Sequence, residues 1–130
     1  MIFYRVSSNN MSVLKISSTE LNGEFLDICF KGLYYETRVQ VPRSIPKKEW
    51  QKVLNSVKNL KEYAQEFEYG LSGLCEISCT EKEGCGYWEF CITNAPEDFS
   101  GIHIDITINL DNLSDKNQLL NTLGSILHYY

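Results

Sequence analysis

Ile102-His103-Ile104-Asp105-Ile106-Thr107-Ile108-Asn109-Leu110 alternates apolar and polar residues without a break. A period of two makes one dry face and one wet face only when the chain is extended, so this stretch is a strand, and something apolar must cover its isoleucines. The neighbouring sequence follows the same grammar. Upstream, Trp88, Phe90 and Ile92 share one face, as do Cys75, Ile77 and Cys79. The segments Glu81-Lys82-Glu83-Gly84 and Asn94-Ala95-Pro96-Glu97-Asp98 read as the turns between these strands. Downstream the period changes to helical. Ser114 is placed to cap, Asp115 suits the positive end, and Leu119, Leu120, Leu123, Ile126 and Leu127 form the apolar stripe. Gly124 weakens this helix slightly, and His128 complements its negative end.

The first half has the same order. Leu14 and Ile16 alternate with polar neighbours, Leu26, Ile28 and Phe30 share a face opposite Asp27 and Lys31, and Gly32 marks a hairpin. Leu33, Tyr35, Thr37, Val39 and Val41 then recur at period two. At Ser44-Ile45-Pro46 a capping serine and a first-turn proline open a helix. Trp50, Val53, Leu54, Val57, Leu60, Ala64 and Phe67 recur at spacings of three and four, and Gly70 ends the run. Its lysines alternate with glutamates, which makes that side a solvated helix face. The expectation is an α+β fold, β-β-β-α-β-β-β-α, with one largely antiparallel sheet. Helices at about 46–69 and 114–128 pack on its apolar face. Trp50, Leu54, Val57, Leu60, Trp88, Phe90, Ile104, Ile106 and Leu123 are expected to be buried together.

The chain has 130 residues, enough for one domain over 1–130 that buries roughly two-thirds of its unfolded surface. With 43% hydrophobic and 22% charged residues, it is neither disordered nor of low complexity. No stretch approaches the roughly 18 apolar residues a membrane helix needs. Met1-Ile2-Phe3-Tyr4-Arg5-Val6-Ser7 has no apolar signal core, so a cytoplasmic location is expected.

Cys29, Cys75, Cys79, Cys85 and Cys91 are odd in number and fall mostly in apolar runs, where a free thiol packs as a small hydrophobe. Their spacing lacks the paired knuckles of a structural zinc site, and no metal or other cofactor is expected. Cys85, between Gly84 and Gly86 in a turn, is the thiol expected at the surface. Metalloprotease, phosphate-loop, dinucleotide and nucleophile-elbow motifs are all missing, so the chain is not expected to be an enzyme. The nearest approach to a catalytic group is His103 with Asp105, two apart on one strand, with Tyr87 and Glu89 on the neighbouring strand.

The net charge of −5 is unevenly spread: residues 1–45 and 46–69 each carry +1, and residues 70–130 carry −7. A nucleic-acid binder needs clustered lysine and arginine, so neither direct nucleic-acid binding nor membrane binding is expected, and a basic partner is.

From Leu26 to Leu127 the chain resembles the small bacterial immunity proteins of the WapI-type and contact-dependent inhibition systems. The matching features begin with a paired strand opening, the Trp-bearing helix start Lys47-Lys48-Glu49-Trp50-Gln51-Lys52-Val53-Leu54 and the strand led by Cys75-Glu76-Ile77. They continue with the aromatic strand Gly86-Tyr87-Trp88-Glu89-Phe90, the Gly-led strand Gly101-Ile102-His103-Ile104 and the closing Leu-rich helix. The cysteine content and the Ser/Asn stretch from Ser7 to Ser12 depart from that pattern. The resemblance implies a cytoplasmic protein that binds a cognate toxin domain and blocks it stoichiometrically. The charge fits a basic nuclease, whose active site an acidic surface would occupy. Glu76, Tyr87, Glu89, His103 and Asp105 are then expected to form one partner-binding patch on successive strands, with Glu97 and Asp98 at its rim. Two other classes stay open. One is a non-catalytic small-molecule or peptide-binding module with an aromatic cleft near Trp50 or Trp88; the other is a subunit that pairs sheet edges with its own copies.

Overall fold

In the computed structural model, which describes residues 2–7, 15–22, 25–31, 36–84, 86–95 and 102–130, the chain has eight strands and two helices. They run β1 (Ile2–Ser7), β2 (Lys15–Asn22), β3 (Phe25–Lys31), β4 (Glu36–Pro42), α1 (Lys47–Asn59), β5 (Tyr63–Tyr69), β6 (Gly73–Lys82), β7 (Tyr87–Ala95), β8 (Ile102–Asn109) and α2 (Leu113–Leu127). The α+β class stands, but there are two sheets where one was expected. Five strands lie in the order β1-β8-β7-β6-β5, with β1 parallel to β8 and the other pairs antiparallel. The second sheet is the antiparallel meander β2-β3-β4. Its β4 edge does not continue into the larger sheet. β4 ends in Pro42, which has no N–H for a further ladder, and the Gln40 carbonyl accepts a bond from the Asn94 side-chain amide at 2.6 Å.

Both sheets feed one core. Leu26, Ile28, Val39 and Val41 from the small sheet join Trp50, Val53 and Val57 of α1 and Leu119, Leu123 and Ile126 of α2. Cys75, Ile77, Cys79, Phe90, Ile92, Ile106 and Ile108 supply the large sheet's share. Of the expected core, Trp50, Val57, Phe90, Ile106 and Leu123 are buried, and Leu54, Leu60 and Trp88 pack against them half-exposed. The side chain of Ile104 lies outside the described residues. Of the expected turns, only that at Glu81-Lys82-Glu83-Gly84 falls wholly within the described residues, and it is displaced: Glu81 and Lys82 still belong to β6, Lys82 pairs with Tyr87, and the chain reverses around Gly84 and Gly86, both at positive φ. The Gly32 hairpin and Pro96-Glu97-Asp98 lie outside the described residues.

The first helix is shorter than its periodicity suggests. It stops at Asn59 because Leu60 takes a left-handed conformation, φ 53°, and Lys61 N–H closes the end on the Ser56 carbonyl at 3.0 Å. Residues 63–69 are then a strand, and Gly70, φ 60°, turns the β5–β6 hairpin instead of ending a helix. Tyr63, Phe67 and Tyr69 face inward while Ala64, Glu66 and Glu68 are exposed, so the spacing of four that continues a helix also fits a strand of period two. Aromatic residues favour the strand. The caps differ too. Ser44 is exposed and α1 starts after Pro46 without a side-chain cap, whereas Asn112, not Ser114, caps α2 by accepting from Asp115 N–H at 3.2 Å.

Two polar ties hold the layers in place. Tyr69 donates to the buried Asn94 side chain at 2.6 Å, so Asn94 links β5, β7 and β4. The Tyr69 ring lies over Gly73, where a Cβ would come within 2.6 Å of it. At the other tie, the fully buried Trp50 donates its indole N–H to the Tyr130 hydroxyl at 3.0 Å, and that hydroxyl donates to the Ile45 carbonyl at 2.6 Å. Arg43 donates to the Tyr129 carbonyl beside it. No helix among the described residues is long and apolar enough to cross a membrane.

Tyr130→Phe keeps the ring and removes the acceptor, leaving the Trp50 N–H without its partner. We expect a loss of about 1–3 kcal/mol in urea-induced unfolding with the slope unchanged. A variant as stable as the wild type would show that the latch carries no stability.

Candidate functional site

Both helices pack on the buried face of the large sheet, and among the described residues no helix lies on its other face. The pairing registers arrange that face in rows. One row runs Glu66, Glu76, Thr93, Asp105 and, on β1, position 5. The next runs Ala64, Ser78, Cys91, Thr107, and a third Thr80, Glu89, Asn109. Small side chains in the middle row leave a trough between taller neighbours. A groove of about 510 Å³ results, lined among others by Ala64, Ser78, Cys91 and Thr93, with Glu66 and Glu76 on its acidic side.

The carboxyls here sit in two different surroundings. Glu66 and Glu76 are cross-strand partners. Two carboxylates so placed repel, and they hydrogen-bond only by sharing a proton. That hydrogen bond is the main reason the Glu76 carboxyl is held above its ordinary range, with burial and the Glu66 charge acting in the same direction. Asp105, only 5% exposed, accepts from the Cys91 thiol at 2.9 Å and from the Thr93 hydroxyl at 3.4 Å. Burial first, and then this carboxylate, push the Cys91 thiol up to about 11. At neutral pH it is therefore a protonated donor and not a nucleophile.

Glu76, Glu89 and Asp105 do face outward from three successive strands, as their alternation implies. They do not form one cluster. Glu89 pairs with Thr80 and Asn109, two rows from Asp105, and forms an ion pair with Lys82 at 3.5 Å. Tyr87 is half-buried opposite Lys82 at the hairpin end. His103 lies two positions along β8 from Asp105, opposite position 3 of β1, and its side chain lies outside the described residues. The acid, base and orienting groups that a catalytic reading of this face would need are thus spread over separate rows. Asp105 also differs from the exposed carboxylate expected, since β8 is flanked on both sides and the neighbouring thiol and hydroxyl occupy its oxygen. Glu97, Asp98 and Cys85 lie outside the described residues.

Glu66 and Cys91 belong to this face and were not among the expected contacts. Glu66 was hidden in the over-long helix, although Ala64, Glu66 and Glu68 alternate with Phe67 and Tyr69 in the sequence. The aromatic cleft does not form at Trp50, which is 0% exposed, and Trp88 is half-buried against the core. Cys75 and Cys79 lie in the core, their thiols pushed up to about 12 and about 11, chiefly by burial. Compared with protein-family models, curated proteins and solved structures, the chain matches none.

These thiols make stability pH-dependent. A raised folded value means that the contribution is complete below the unfolded thiol range, near 8.5, and is lost as pH rises through the folded values. Stability should therefore fall between about pH 8.5 and 12. Asp105→Asn removes the charge that opposes the Cys91 thiolate, so alkylation of Cys91, followed by peptide mapping at pH 8, should be faster in the variant. An unchanged rate would mean that access, and not Asp105, protects this thiol.

Proposed function

We propose that this protein is a non-catalytic binder that neutralises a basic protein, a toxin domain of nuclease type, in the cytoplasm of the cell that makes both. The contact surface is the outward face of the five-stranded sheet. The observation that carries this reading is the Glu66–Glu76 pair at the edge of the groove. Adjacent carboxylates cost stability in the free protein, and an arginine or lysine inserted between them relieves that cost. Glu68 extends the negative field on the same face, where Glu89 is paired with Lys82, and the −7 charge of residues 70–130 has the sign that speeds encounter with a basic partner. The resemblance to immunity proteins points to the same class of partner. A second reading, a small cationic ligand held in the groove, is favoured by one observation: its volume of about 510 Å³ falls in the range of ligand sites.

The direct test is protection. Cells expressing this chain should survive expression of the toxin domain encoded beside it, and the purified pair should bind one to one, with association slowing as salt rises. Glu76→Lys with Glu89→Lys should weaken binding at least about a hundredfold, roughly 3 kcal/mol, while Lys52→Glu with Lys58→Glu on the exposed side of α1 should leave it unchanged. Asp105 is left intact because a lysine at this buried position would disrupt the fold. If the helix variants abolish protection and the acidic-face variants do not, the proposal fails.

The same pair predicts a trade-off. Glu76→Gln should stabilise the free protein at neutral pH by about 0.2–1 kcal/mol, measured by denaturant unfolding, and weaken the complex.

A further inference from the structure

The large sheet ends on β5, and this edge is unusually open. Ala64, Gln65, Glu66 and Glu68 are exposed, and the strand contains no proline, glycine or lysine to discourage pairing. Among the described residues, no backbone group from 63 to 68 is engaged outside the β5–β6 ladder. The edge of β4, by contrast, has its Gln40 carbonyl taken by Asn94 and ends in Pro42. Glu66 and Glu68 stand on the outward face at alternate positions, directly beside the groove.

We propose that β5 receives an extended segment of a basic partner as a sixth strand of the large sheet. The added backbone pairs with the outer N–H and C=O groups of β5. Side chains of the incoming strand then alternate between the two faces. On the outward face, lysine or arginine at every second position meets Glu66 and Glu68, which are spaced to match. On the inward face, the incoming residues meet Tyr63 and Phe67, which pack against the core half-exposed, with the exposed Gln65 between them. A second copy of this chain is disfavoured on the same edge, because two β5 strands would set these glutamates against each other. The inference rests on the reading of the partner as basic, and adds how it is held.

The test separates backbone pairing from charge. Neighbouring residues in a strand direct their N–H groups to opposite sides, so of Ala64→Pro and Gln65→Pro one breaks the β6 ladder and the other removes only an outward donor. Thermal unfolding identifies the second, which keeps the wild-type melting temperature and every carboxylate. The probe is a short synthetic peptide of alternating lysine and valine. Two controls accompany it: one N-methylated at alternate residues, the other of the same composition with its lysines in a block. The alternating peptide should protect the backbone amides of residues 64–68 from hydrogen exchange, and more weakly at high salt. The outward proline, the N-methylated peptide and the block peptide should each lower affinity by about tenfold or more. Equal affinity for the folded proline variant, or protection mapped to the groove rows of β6 and β7 instead, overturns strand addition. The acidic-face reading is scored separately, by Glu76→Lys with Glu89→Lys.

Discussion

The β7–β8 register is the constraint from which the rest follows. Ile92 stands opposite Ile106 and Phe90 opposite Ile108, all four buried, while Thr93 stands opposite Asp105 and Cys91 opposite Thr107 on the other face. A slip of one residue would expose the isoleucines and bury an aspartate and a threonine among the helices, which no local repacking would offset. With that register set, the apolar face must be covered, and both helices go to the same side. The opposite face of the large sheet is then polar, and its rows are inherited from the same alternation.

Much of this was legible because alternation is a local signal. β6, β7 and β8 and the inward face of β4 emerge directly from residues two apart, and α2 from its leucine stripe. Pairing is not local, so nothing in the periodicities distinguishes one sheet of six strands from two sheets. What divides them is the end of β4 at Pro42 and the capture of the Gln40 carbonyl by Asn94, whose sequence partner lies far away. The parallel strand β1 was missed because Ile2-Phe3-Tyr4-Arg5-Val6 has an apolar run without clean alternation. The end of α1 was missed because the chain has no glycine at the stop: Leu60 adopts the left-handed conformation itself and keeps its side chain against the core. Seven residues further on, Phe67 satisfies both a helical and an extended reading, and only the partial burial of Tyr63 and Tyr69 with it separates them.

The candidate site shows the same division. That Glu76, Glu89 and Asp105 share a face follows from parity alone. That they occupy different rows, and that Asp105 is enclosed by Cys91 and Thr93, depends on which residues stand opposite, which is a property of register across strands. The pairing of Glu66 with Glu76 was beyond reach as soon as residues 63–69 were read as helix. A wrong secondary-structure period therefore removed a residue of the candidate site as well as a strand.

Nothing in the core requires this face to be acidic or grooved. A sheet with one wet face is equally well served by lysine and glutamate alternating across strands, an arrangement that adds favourable pairs instead of repulsive ones. Here the middle row is reduced to Ala64, Ser78, Cys91 and Thr107, and the adjacent row places one glutamate opposite another. Cys91 and Asp105 satisfy each other at the far side of the groove, so the repulsion is confined to the Glu66–Glu76 pair at the sheet edge. Local instability confined to an open edge, next to a trough of small side chains, has no structural benefit for the free protein. On the proposed reading it has one, because a cation brought from outside would remove the repulsion that the fold leaves in place.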